Sequence, residues 1–346
     1  MTVAALLWGR ARRRWLAAAA LAFTLAAALP ACAPLAPASP DDPLPSWQAG
    51  PAKQRILDFV RAVSTAGSKD YVAAAERIAV FDLDGTLWLE QPLPVELRFA
   101  LDRIHALAPQ HPDWQQAEPL RSVLAGDLPR ALAGGEPAQQ TLLLAAQGGQ
   151  GVDAFDASVR HWIGRAQDPR FQRPYETLSY QPMHELLWYL RANGFRTYLV
   201  TDADQAFVRA FAERVFGIPP EQVIGTRQQL DFQVKGRSTE LVLQPQPAFT
   251  DDRAGKVVAI DAVIGRRPIA AFGNADGDLQ MLQYTTSGPG LRLGMLVHHD
   301  DPVREYAYDR SAAFGRLNEG LDLYKSWGWT LISMRNDWKT IFDPAR

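Results

Sequence analysis

Residues 78–86 read Ile78-Ala79-Val80-Phe81-Asp82-Leu83-Asp84-Gly85-Thr86. The apolar run is too short for a helix and rich in strand-forming residues, so it reads as a buried strand. It opens into an acidic turn with a glycine. Open α/β sheets place their sites at such strand ends. Alternation along the strand end puts Asp82 and Asp84 on the same side.

Two further stretches repeat the pattern. Residues 195–201 form a second buried strand that ends in Thr201-Asp202. Residues 269–272 form a third, followed by Gly273-Asn274-Ala275-Asp276-Gly277-Asp278. Residues 293–298 read as a fourth strand. Helical patterns occupy 53–66, the segment from Pro182 to Leu190, and 204–216, the last closed by Gly217. Strands alternating with helices predict an α/β fold, a Rossmann-like parallel sheet with helices on both faces. Parallel strands share one C-terminal edge, so the three polar clusters converge there. Lys256 lies between the second and third. Residues 94–178 hold helical stretches (94–107 and 154–166) broken by proline and glycine, and no strand-like run. They read as a helical insertion.

Composition narrows the function. The 346 residues are 47% hydrophobic and 21% charged, which fits a globular chain. Lys and Arg total 36 against 38 acids, a net charge of −2, so no basic excess points to nucleic acid. One cysteine and 6 histidines exclude a disulfide framework and a cysteine-based zinc site.

The N-terminus reads as an address. Arg10, Arg12, Arg13 and Arg14 precede a run without charge over 16–31, short for a spanning helix of about 20 residues. This is a signal-peptide pattern over 1–31. Leu29-Pro30-Ala31-Cys32 follows and resembles the lipobox of bacterial lipoproteins, in which the cysteine is lipidated. Pro30 is unusual there, and plain cleavage at Ala31 or Ala33 is the alternative. The arginines also resemble a twin-arginine signal, less closely. Residues 32–52 are proline-rich and read as an extended tether. The expected location is the periplasm or cell envelope, with a membrane anchor at Cys32 and no protein partner.

With the clusters in place, the chain resembles the haloacid dehalogenase superfamily, and within it the phosphatases near phosphoserine phosphatase. Asp82-X-Asp84-Gly85-Thr86 matches the first motif and Thr201 the second. Lys256 fits the third, and Gly273-Asn274-X-X-X-Asp278 the fourth. The motifs stand in order over residues 78–282. The resemblance implies a Mg²⁺-dependent phosphomonoester hydrolase acting on a small phosphorylated substrate, phosphoserine- or phosphorylcholine-like. It assigns Asp82 as nucleophile through an aspartyl phosphate, and Asp84 as general acid and then base. Thr201 and Lys256, with Gly85 and Thr86, would receive the phosphoryl group, and a metal would lie among Asp82, the Asp84 carbonyl and the fourth motif. The chemistry is consistent: a carboxylate cannot approach a dianionic ester until charge is neutralised, and Mg²⁺ takes oxygen ligands. The implied division is core over 53–89, cap over 90–178 and core over 179–346.

One position departs from the pattern. The fourth motif usually begins Gly-Asp, and here Asn274 stands at the metal-binding place. An amide oxygen can ligate a hard cation with one charge fewer. The third ligand is therefore open among Asn274, Asp276 and Asp278. Lys235 is a rival to Lys256, though it lies in a hairpin-like segment farther from the fourth motif. Asp202 and Asp204 either line the site or cap a helix. Glu90, Arg98, Trp114 and Tyr175 are candidate substrate contacts from the cap. The ten tryptophans suggest a site for a quaternary ammonium group, but several near the C-terminus read as core. His298-His299-Asp300-Asp301 looks like a metal cluster, yet consecutive strand histidines face opposite ways.

Other readings remain within the superfamily and outside it. A dehalogenase lacks the second acid, and Asp84 is present. A phosphonate hydrolase needs a cap lysine, and none occurs between Asp70 and Lys235. A transporting ATPase needs spans that the chain after residue 31 lacks. A non-catalytic binding lipoprotein on the same fold is the alternative from another class.

Overall fold

A computed structural model describes residues 42–344. The expected signal segment and Cys32 lie outside the described residues. Among the described residues the sheet has seven strands: β1 Ile78–Phe81, β2 Arg196–Asp204, β3 Val223–Lys235, β4 Ser238–Phe249, β5 Ala270–Gly273, β6 Leu293–His298 and β7 Thr330–Ser333. Their order is β4-β3-β2-β1-β5-β6-β7. Every pair is parallel except β3 with β4. This is the α/β sheet that the sequence predicts.

β1 lies at the centre, with all four residues fully buried. A strand with no solvent-facing side shows a continuous apolar run instead of alternation, which is why it was legible. Phe81 pairs with Leu199 of β2 and with Phe272 of β5, and it stacks on Phe272 at 4.5 Å between centroids. Asp82 N donates to Phe272 O at 2.9 Å. That register brings the ends of β1, β2 and β5 to one edge.

Between Leu89 and Leu178 the chain leaves this layer. Leu89 N donates to Leu178 O at 3.2 Å, and Tyr180 N to Leu87 O at 2.8 Å, so the outgoing and returning segments run side by side. The excursion contains helices Val95–Leu107, Leu120–Leu124, Leu128–Leu132, Glu136–Gln147 and Val152–Ile163. Leu97, Ile104, Leu120, Val123 and Leu142 form a separate apolar core within it. A separate core lets an insertion pack as its own layer over the sheet edge.

Three expectations need correction. The expected tether spans 32–52, but the packed chain includes Asp42 onward. Leu44 and Trp47 are fully buried, Trp47 Nε1 donates to Pro182 O at 2.9 Å, and Trp47 meets Trp338 edge-on. Proline spacing masked two apolar anchors, and burying such side chains stabilises by about 1.5–3 kcal/mol each. Pro51 starts the helix Pro51–Ser64, where its missing N–H costs nothing.

The single helix over 204–216 is two, Gln205–Arg209 and Ala212–Phe216. The break at Phe211 (φ −133°) lets Phe207, Phe211 and Phe216 all turn inward, two of them onto Trp88. Finally, the sequence pattern does not mark β7, and the hairpin-like segment around Lys235 is the tip of a long β3–β4 hairpin. The outer half of the hairpin exposes Leu230, Phe232 and Val234 among polar residues, so no buried run marks it. Lys235 sits at its tip, pairs with Ser238 and holds Glu240 at 2.9 Å.

Candidate active site

Lys256 is the electrostatic hub of the sheet edge. It lies on helix Ala254–Ile264 and is 2% exposed. Its Nζ donates to Asp82 Oδ1 at 2.7 Å and to Asp278 Oδ1 at 2.6 Å. Burial opposes the ammonium charge, but Asp278 and Asp82 outweigh it and hold its pKa well above the ordinary lysine value. Lys235 is spent at the hairpin tip, so Lys256 is the site lysine.

One ammonium does not balance the acids around it. Burial first, and then Asp278, push the Asp82 carboxyl well above the usual carboxylate range in spite of Lys256. Asp84 is raised to about 7 by burial and by Asp202, against the lowering effect of Trp88 and Lys256. Asp84 Oδ1 accepts from Trp88 Nε1 at 2.6 Å, which fixes the side chain. Glu90 is raised well above its normal value by burial and by Asp84 and Asp82. The site therefore gathers more carboxyl groups than its one ammonium can neutralise, and burial together with their mutual repulsion favours their protonated forms.

The turn after β1 depends on Gly85. Its φ of +72° is disfavoured for other residues, and a Cβ there would collide with Asn274 Nδ2 and Glu90 Oε2. His299 Nε2 lies 2.7 Å from the Gly85 carbonyl, which can only accept, so that nitrogen carries the hydrogen. His299 Nδ1 lies 3.0 Å from Glu305 Oε2. His298 instead lies on the partly exposed side, 3.6 Å from Asp309. Asp300 accepts from Ser333 Oγ, and Asp301 pairs with Arg304. The His298–Asp301 stretch is thus no metal cluster; its one link to the site is His299 bracing the turn.

The fourth cluster divides its tasks. Asp278 Oδ2 accepts from Asn274 N at 3.0 Å and Ala275 N at 3.1 Å, while its other oxygen holds Lys256. Asp276 turns away to accept from Asn318 N and Gly320 N, both at 3.0 Å. Asn274 Oδ1 accepts from Thr86 Oγ1 at 3.0 Å, and Thr86 Oγ1 is also 3.3 Å from Asp82 Oδ2. Of the three candidates, Asp278 is committed to Lys256 and two backbone amides and Asp276 to the Asn318 and Gly320 amides, while the Asn274 oxygen shares only the Thr86 hydroxyl with Asp82. Among the described residues no three His, Cys, Asp or Glu side chains form a ready metal cluster. The oxygen donors that could take a hard cation here are the Asp82 carboxylate and the Asn274 amide oxygen, with the Asp84 carbonyl as the resemblance implies, an all-oxygen set among more carboxyl groups than one ammonium neutralises. Asp276 and Asp278 are withdrawn from it.

Thr201 is fully buried in β2, just before the irregularity in its pairing with β3, and its Oγ1 accepts from Ala203 N at 3.2 Å, which leaves its own proton free to be donated. Asp204 caps the next helix, accepting from Ala206 N at 2.8 Å. Asp202 is exposed, and its charge reaches Asp82, Asp84 and Lys256. The two alternatives for these acids are thus divided between them.

Among the cap candidates only Glu90 reaches the cluster. Arg98 pairs with Asp102 at 3.5 Å on the surface. Trp114 is buried in the cap and stacks on His111; Tyr175 is buried and stacks on Trp162. Trp329 and Trp338 are buried in the core. Sequence reasoning missed Glu96. It is buried in the cap's first helix, accepts from Asp204 N at 3.0 Å and from Gln147 Nε2 at 2.7 Å, and so ties cap to core. Gln147 in turn bonds Gln228 of β3. An acid at the second position of a helical run was the only signal.

A family model described as haloacid dehalogenase-like hydrolase matches residues 79–283. No curated protein matches the chain. Among solved structures, a protein of unknown function from Bordetella pertussis Tohama I is 16% identical with a TM-score of 0.47, covering 74% of this chain and 98% of its own. A phosphoserine phosphohydrolase-like protein from Francisella tularensis is 16% identical with a TM-score of 0.36, covering 64% and 88%. A probable phosphoserine phosphatase from Vibrio cholerae is 14% identical with a TM-score of 0.36, covering 75% and 67%. With the matched span running from β1 through the fourth cluster, the chain belongs to the haloacid dehalogenase-like hydrolase family.

Proposed function

We propose that the protein is a Mg²⁺-dependent phosphomonoester hydrolase that works through an aspartyl phosphate on Asp82. The observation that carries this reading is the pairing of Asp82 with Lys256 at 2.7 Å beside a second buried acid, Asp84. A Mg²⁺ held by Asp82 and the Asn274 amide oxygen, with the Asp84 carbonyl, would supply charge neutralisation and polarisation of the phosphoryl oxygens. Asp82 would attack phosphorus, and the bond to the ester oxygen breaks. Asp84 gives its proton to the departing alcohol. It then takes a proton from the water that attacks the aspartyl phosphate, releasing phosphate and restoring Asp82. Lys256 and the Thr201 hydroxyl hold the phosphoryl oxygens as charge builds on them. The cap over the sheet edge would exclude water and read the alcohol.

Asp84→Asn separates this chemistry from its relatives. The substitution leaves the backbone carbonyl in place. Turnover falls by about 10²–10⁴ on an alkyl phosphate such as phosphoserine, whose leaving oxygen needs the proton. The first step suffers less with p-nitrophenyl phosphate. Rapid-quench kinetics on both esters reads the difference; equal losses would remove Asp84 from the acid–base role.

We also propose export and anchoring through Cys32. The support is the pattern of Arg10–Arg14, the uncharged run and the lipobox-like Leu29–Cys32. Cys32→Ser should shift the protein from the membrane to the soluble fraction. The same distribution for both forms would favour ordinary signal cleavage.

A further inference from the structure

Asn274 stands in contact with a carboxylate from the far side of the chain. Its Nδ2 donates to Glu90 Oε2 at 3.0 Å across a sequence separation of 184 residues. The same Oε2 accepts from Tyr308 OH at 2.9 Å. Both donors are neutral, and among the described residues no lysine, arginine or histidine forms an ion pair with Glu90. Glu90 is 7% exposed. Space for it exists because Gly85 and Gly315 lack side chains; a Cβ on either would strike Glu90 Oε2. Gly315 is also held at φ +64°. The contact is therefore built into two separate turns.

This neighbour decides which way the amide faces. A carboxylate accepts and an amide nitrogen donates, so Nδ2 faces Glu90 and Oδ1 is directed the other way. There it meets Thr86 Oγ1 at 3.0 Å, on the side where Asp82 Oδ2 lies 3.3 Å from the same hydroxyl. An anion behind the NH₂ group also polarises the amide, adding negative charge to its oxygen.

Building on the metal-dependent reading above, we propose that Glu90 and Asn274 act together as a divided carboxylate: Asn274 presents the ligating oxygen, and Glu90 positions it and supplies the missing charge. Glu90 is thus a positioning residue of the metal site. This assigns the cap's first acid to the metal site instead of to the substrate.

The test is Mg²⁺ binding to the full chain without substrate, by isothermal titration calorimetry, repeated with Mn²⁺. Four forms are compared: wild type, Glu90→Gln, Asn274→Asp and the double variant. Glu90→Gln should weaken binding by about 10–100-fold, as loss of an outer-sphere partner does. Asn274→Asp alone should gain little, because it sets two carboxylates against each other at the Glu90 contact. The double variant moves the charge onto the ligand and should return to within about threefold of wild type. Thermal melting of each form checks folding, and recovery in the double variant excludes a merely structural loss. Wild-type affinity in Glu90→Gln, or a double variant no tighter than Glu90→Gln, overturns the proposal. Wild type that binds neither cation overturns the metal-dependent reading itself and this proposal with it.

Discussion

Asp82→Asn yields a folded protein whose turnover of p-nitrophenyl phosphate is at least about 10⁴-fold below wild type, the scale seen when a covalent nucleophile is removed. The amide is nearly isosteric with the carboxylate but cannot form an acyl phosphate. Stability should survive for an electrostatic reason. The folded-state pKa of Asp82 is raised, chiefly by burial. A carboxyl raised on folding reduces stability where it is ionised, and the penalty disappears below its unfolded value. At neutral pH the asparagine removes that penalty. It also removes one partner of Lys256, but Asp278 remains at 2.6 Å. Denaturant unfolding at pH 7 should therefore show a stability within about 1 kcal/mol of wild type or above it. Wild-type rates in the folded variant would refute the nucleophile assignment.

Lys256→Met has the opposite balance. It keeps the aliphatic volume and removes the only cation among the described residues that is hydrogen-bonded to both Asp82 and Asp278. Both carboxylates are then buried without their cation, and breaking such a pair costs about 3–5 kcal/mol. The raised folded-state pKa of Lys256 has the same meaning: its contribution is fully present below its unfolded value and is lost only as pH rises through the folded one. Turnover is lost as well, since the phosphoryl oxygens have no ammonium. Adding Asp278→Asn to Lys256→Met should restore part of the stability and none of the activity. Thermal melting and phosphatase assays on the two forms check both halves. A stable Lys256→Met protein with normal rates would show that the lysine is neither structural nor catalytic.

The legible parts of this chain are those fixed by local pattern. β1 is buried on both faces, so its apolar run and the acids after it stand out in one dimension. The same holds for β2, β5 and β6, and the parallel arrangement brings their ends together. What was hidden depends on distance in sequence. Glu90 meets Asn274 across 184 residues, and no local spacing predicts that pairing. Asp276 and Asp278 look alike in the sequence, but one caps the turn before Glu319–Leu323 and the other holds Lys256. The bracing of Gly85 by His299 is likewise tertiary. Leu44 and Trp47 sit among prolines and serines, where composition reads as tether although the side chains are buried. The β3–β4 hairpin extends into solvent, so its strands lack the apolar pattern that marks a core element.

The central claim is that a phosphoryl group passes through Asp82. It is tested most directly by trapping that state. Asp84→Asn should transfer phosphoryl from p-nitrophenyl phosphate to Asp82 and then stall, because the water that ends the cycle lacks its base. Acid quench followed by mass spectrometry should show one added phosphoryl group on the peptide that carries Asp82, and none when Asp82→Asn is combined with it. An unmodified Asp82 peptide from a variant that still releases p-nitrophenolate, or phosphate on another residue, would contradict the account.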